Sequence, residues 1–151
     1  MSGDTDVALS ARPKLRRCAQ GAVGFAGSVA DGQWLCDYLA EHLASDPETA
    51  LRRARAARGT DLDASCVYAT TGRLWHLGGD GCAVPVRGAV AAVGSGGAAA
   101  LGALRALTRH TELTPEQAVR EALRVAAQDT LDVRGPFDVW SEHFPQRKGR
   151  K

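Results

Sequence analysis

The residues best suited to chemistry in this 151-residue chain are few and scattered. Cys18, Cys36, Cys66 and Cys82 are far apart and form no C-x-x-C pair, so they read as reduced, buried small hydrophobes rather than metal ligands. His42, His76, His110 and His143 are equally dispersed, and none has a partner at metal-ligand spacing. The stretch with a chemical pattern is Val93-Gly94-Ser95-Gly96-Gly97. Gly94, Gly96 and Ala99 satisfy the G-x-G-x-x-G/A spacing that lets a phosphate approach the backbone. A dinucleotide site also needs a strand after the helix and an acidic residue about 20 positions on. Here Leu113-Thr114-Pro115-Glu116 announces a second helix instead, and no Lys-Ser/Thr pair follows the glycines, which excludes the P-loop form. A packing turn is the preferred reading, with a small nucleotide-binding protein using Gly94 to Gly97 as an alternative. No metal or cofactor is expected.

The elements that must position these residues follow from periodicity. Ala89 to Val93 reads as a short buried strand leading into the glycine turn, and Leu101, Leu104 and Leu107 recur at helical spacing after it. Upstream, Pro13-Lys14-Leu15-Arg16-Arg17 is basic and belongs to at most one weak strand. Val23 to Gly27 is a second small, glycine-punctuated stretch, running into a helix start at Ser28 with Asp31 three residues later. That helix, about Val29 to Leu43, puts Leu35, Tyr38, Leu39 and Leu43 on one stripe. Asp46-Pro47 opens another helix to about Ala57, whose arginines form a solvated face. Ser65 to Thr70 and Arg73 to Leu77 make a hairpin across Thr71-Gly72, and Cys82 to Val86 adds a short strand. Thr114-Pro115-Glu116-Gln117 is a strong cap for a helix to about Thr130, and Phe137 to Trp140 reads as a last strand. The order predicts an antiparallel α+β sandwich with paired helices on each side.

Composition bounds the function classes. The length suits one domain with a core of its own. A net charge of +2 does not argue for nucleic acid, although Arg147-Lys148-Gly149-Arg150-Lys151 is a basic tail read as solvated and disordered. The uncharged run from Arg87 to Arg105 is short for a span and mostly Gly and Ala, so no membrane is expected. The cysteine usage, without a signal peptide, points to the cytoplasm.

Two segments carry a resemblance. Gly24-Phe25-Ala26-Gly27-Ser28-Val29-Ala30-Asp31 and Val93-Gly94-Ser95-Gly96-Gly97 are similar to the G-F-A-G-x-x-A-D and I-G-S-G-G segments of the HslV peptidases and proteasome β-type subunits. Ala64 to Arg73 and Glu112-Leu113-Thr114 fall at corresponding places, so the similarity spans about residues 14 to 132. It implies a four-layer αββα sandwich of the N-terminal-nucleophile hydrolase type, here N-terminally truncated. The corresponding division is residues 1–13 as a flexible or partial strand, 14–140 as the domain, and 141–151 as the tail. In that family an N-terminal threonine attacks the peptide carbonyl, its own amine acts as base, a lysine lowers pKa values, and a backbone N–H holds the oxyanion. By motif, Lys14 matches the lysine, Gly24 the oxyanion donor, Ser95 the serine near the nucleophile, and Asp4 the early aspartate.

The pattern departs at its start, where only Met1-Ser2-Gly3 precede Asp4 in place of a threonine and its hairpin. The expectation is a proteasome/HslV-like subunit that lacks the nucleophile and is catalytically inactive as written, with Lys14, Gly24, Ser95 and Asp4 vestigial. The alternative is an active threonine-type endopeptidase with an upstream start, since Thr5 or Ser2 would lack the strand that positions an attacking hydroxyl. The resemblance also implies a homo- or hetero-oligomeric ring and a regulatory ATPase partner.

Overall fold

The computed structural model describes residues 13–43, 46–70 and 72–141. Asp4, Thr5 and the basic tail lie outside them, and so do the readings made for those residues. Nine elements follow in order: β1 (Leu15–Cys18), β2 (Gly21–Gly27), α1 (Val29–His42), α2 (Pro47–Arg58), β3 (Ala64–Thr70), β4 (Arg73–Gly78), β5 (Ala83–Pro85), α3 (Gly97–His110) and α4 (Pro115–Asp129). The strands form one antiparallel sheet in the order β1-β2-β3-β4-β5.

The basic stretch after Pro13 does form a strand, because Leu15 to Cys18 pairs with Gly24 to Gly21 and gains a full backbone ladder. Alternation along β2 and β3 sorts the side chains by face. Val23, Phe25, Cys66 and Tyr68 are buried, whereas Ala22, Gly24, Ala26, Ser65 and Val67 are half-buried. The buried set packs with Leu35, Leu39, Ala50 and Leu51 of α1 and α2 into the main core. Both helices start where the sequence places them: the Ser28 hydroxyl accepts the Asp31 N–H at 3.4 Å, and the Asp46 carboxylate accepts the Thr49 N–H at 2.9 Å.

The second helix pair has a core of its own, in which Leu104, Ala118 and Ala122 pack with Val90, Ala103 and Leu107. α4 carries the full capping box: Thr114 Oγ1 accepts the Gln117 N–H at 3.2 Å, and Gln117 Oε1 accepts the Thr114 N–H at 2.9 Å. α1 and α2 pack on the antiparallel sheet and α3 and α4 pack on each other, giving the α+β class expected, with one sheet among the described residues.

Two expected strands are corrected. Ala89 to Val93 and Phe137 to Trp140 are not strands. No described strand pairs with either, and an extended apolar stretch becomes a strand only by sharing its ladder. The sheet is antiparallel throughout, so the glycine turn before α3 does not belong to a parallel βαβ unit among the described residues. This removes the structural context that a dinucleotide fingerprint requires.

Candidate active site

The site is assembled by two glycine segments that are far apart in sequence. Gly27 ends β2 with φ +105°, and Gly94 stands in the turn before α3 with φ +101°, both conformations that other residues rarely adopt. A Cβ built on Gly94 would lie 3.0 Å from the Ala26 Cβ, so the turn and the end of β2 are in close contact. The corner after β2 is tied down from the far side. Ser28 N–H donates to the Asp63 carbonyl at 2.7 Å, and Asp63 N–H donates to Asp31 Oδ2 at 3.0 Å. Asp31 also pairs with Arg58 at 3.3 Å, so one carboxylate joins the start of α1, the entry to β3 and the end of α2.

Beside this corner lies an open cleft of about 400 Å³, lined by Ala26, Gly27, Asp63, Ser65, His76 and Gly94 among others. A second concavity of about 290 Å³ continues from Ser65, His76 and Gly94 along the start of α3 to Leu101. Ser65 and His76 stand on the half-buried face of β3 and β4. Their side chains bond to no described group. At the mouth, the Asp80 carboxyl is held below its ordinary range, chiefly by the Cys82 N–H that donates to it at 3.0 Å. In the core behind the sheet, the Cys36 thiol is pushed up by its bond to Cys66 and by burial, so it stays protonated. No described cluster of three His, Cys, Asp or Glu side chains could hold a metal ion.

The described residues singled out by motif lie near the contact of Gly94 with the end of β2. Lys14 pairs its carbonyl with the Phe25 N–H at 3.1 Å, and its ammonium lies 5.7 Å from the centre of the Phe25 ring. Gly24 sits beside it in mid-strand, opposite Leu15 on one side and Val67 on the other. A Cβ there would come within 3.5 Å of the Lys14 carbonyl oxygen. Ser95 follows Gly94 in the exposed turn. Lys14 and Gly24 are thus adjacent, and Ser95 is joined to them through the contact of Gly94 with Ala26; none of the three lines the cleft itself. Asp4 lies outside the described residues. Ser65 was not singled out from the sequence, Gly27 entered only within the Gly24 to Asp31 segment, and His76 only as a histidine without a metal-ligating partner. Ser65 and His76 had a signal, being the polar residues that interrupt the apolar alternation of the hairpin, but only the register brings them to one face.

No protein-family model matches the chain. It is 36% identical over 124 residues to the ATP-dependent protease subunit HslV of Caldicellulosiruptor saccharolyticus, covering 76% of this chain and 70% of that protein. It is 39% identical over 140 residues to the ATP-dependent protease subunit HslV of an Anaeromyxobacter species, with 83% and 77% covered. Among solved structures, the eukaryotic HslV of Trypanosoma brucei superposes with a TM-score of 0.65 at 26% identity, over 83% of this chain and 78% of that one. Thiobacillus denitrificans BPH in complex with epoxomicin superposes at 0.67 with 22% identity, over 84% and 77%, a likeness of fold alone.

Proposed function

Because this chain belongs to the HslV and proteasome β-type family of protease subunits, we propose that it serves as a non-hydrolysing subunit of an oligomeric, ATPase-linked peptidase ring. The observation that carries the reading is the seating of Gly94 against Ala26, which brings the two family-like glycine segments and the Lys14–Gly24 pair to one end of the sheet. That arrangement is a backbone frame suited to a peptide, with a cation beside it.

The hydrolytic step needs a hydroxyl and an amine held together beside the lysine. Six of the described threonines use their hydroxyls elsewhere. Thr49 donates to the Asp46 carboxylate at 3.1 Å, Thr60 to the Asp61 carbonyl at 2.7 Å and Thr70 to the Gln20 carbonyl at 2.8 Å, Thr114 caps α4, and Thr108 and Thr111 donate back to Leu104 and Leu107 at 2.8 and 2.6 Å. None lines the cleft. Lys14, Gly24 and Ser95 are on this reading a retained frame, and a partner subunit supplies the nucleophile. Small side chains on α3, including Ala98, Ala99 and Gly102, permit close packing between subunits. Among the described residues, no helix is long and apolar enough to cross a membrane.

The test combines a native mass measurement with a fluorogenic peptide assay in the presence of epoxomicin, on the chain alone and on the chain co-expressed with a homologous subunit. A ring-sized particle, with turnover and label only on the partner, is the expected result. Turnover by the lone chain with label at Thr5 or Ser2 would establish the active endopeptidase instead, and a strictly monomeric mass at micromolar concentration would count against the ring. A thermal shift with ATP or NAD distinguishes the nucleotide-binding alternative, for which no shift is expected.

A further inference from the structure

β1 forms an edge of the sheet, since no described strand lies beyond it. Its ladder to β2 decides which backbone groups face outward. The Phe25 N–H donates to the Lys14 carbonyl at 3.1 Å, so Lys14 and, two residues on, Arg16 turn their backbone groups toward β2. Pro13 and Leu15 turn theirs the other way. An outward row of this kind is a template on which another chain can add a strand.

Arg16 lies across that row. Its Nε donates to Asp37 Oδ1 of α1 at 2.6 Å, and its Nη1 donates to the Leu15 carbonyl at 3.0 Å and to the Pro13 carbonyl. A solvated arginine would reach into water, whereas this side chain is 23% exposed and drawn back along the strand. Pro13 has no N–H to present. The two outward carbonyls are therefore occupied from within the chain, by a guanidinium fork whose other arm is fixed to a carboxylate. Charge acts in the same direction. If Leu15 paired antiparallel with Leu15 or Arg17 of a second copy, Arg16 would stand opposite Lys14 or Arg16 of that copy, and like charges directly opposite are destabilising.

We infer that Arg16, held by Asp37, is an edge guard that closes β1 to strand addition by a second copy of this chain. The inference uses no part of the peptidase-subunit reading, and ring contacts made elsewhere act equally on the parent and on variants at this edge.

The test is amide hydrogen exchange resolved at Leu15 on the full chain, compared at about 10 µM and about 1 mM. In the parent, Leu15 should exchange quickly at both concentrations. Arg16→Val places a strand former at the position and removes the fork and the charge. Its Leu15 amide should slow about fivefold at the higher concentration, the factor given by a population about four-fifths paired. Asp37→Ala, at an exposed helix position, frees the guanidinium without touching the strand and should slow the same amide about twofold. Circular dichroism establishes that each variant is folded. A Leu15 amide that stays fast at both concentrations in Asp37→Ala and in folded Arg16→Val would overturn the inference. So would slow exchange in the parent at the lower concentration, which would mean that the edge already carries a strand.

Discussion

Replacing Gly94 by alanine probes the junction on which the site depends. At φ +101° a residue with a Cβ is held in a region that costs about 1–3 kcal/mol. The new methyl would also meet the Ala26 Cβ at 3.0 Å, where carbon atoms normally rest about 3.5–4.0 Å apart. Overpacking of this kind adds roughly 1 kcal/mol or more. The sum, about 2–4 kcal/mol, corresponds to a fall in Tm of roughly 4–16 °C for a domain of this length. Urea unfolding followed by circular dichroism measures it. The two parts separate in a double-mutant cycle with Ala26→Gly, which relieves the methyl contact and leaves the backbone cost. A favourable coupling of about 1 kcal/mol is expected, with most of the loss remaining. A Gly94→Ala variant within about 0.5 kcal/mol of the parent, the range of a neutral surface change, would refute the reasoning.

Two further outcomes follow from the core. Leu77 of β4 is fully buried against α1 and α2, so Leu77→Ala should cost about 2–5 kcal/mol in urea unfolding, and a loss below 1 kcal/mol would show that the site collapses freely. The Cys36 thiol and the Tyr68 hydroxyl are both raised in the folded state, Cys36 by its bond to Cys66 and Tyr68 by burial, from ordinary values of 9.0 and 10.0. The unfolded chain releases those protons first, so their contribution is whole below pH 9 and declines as pH rises beyond it. The urea midpoint should fall between pH 9 and 10.5, and Cys36→Ala should flatten that fall; an unchanged slope would place its cause elsewhere.

What the chain determines locally could be read from it directly. The caps at Ser28, Asp46 and Thr114, the proline starts of α2 and α4, and the β3–β4 hairpin depend on contacts within a few residues, and each forms as expected. The glycine segments at Gly24 to Asp31 and Gly94 to Gly97 were legible in part because Gly27 and Gly94 take positive φ, a backbone requirement that leaves a mark on sequence. Tertiary structure decided the rest. Leu15 to Cys18 became a strand because β2 offered it a ladder, while Ala89 to Val93, with better local credentials, found none among the described residues. The cleft likewise depends on long-range placement. Ser65 and His76 meet through strand register, and Gly94 reaches Ala26 across 67 intervening residues. Local propensity acts over a turn or a few residues, whereas pairing, facing and closure are set by which distant segments win each other's hydrogen bonds and apolar surface.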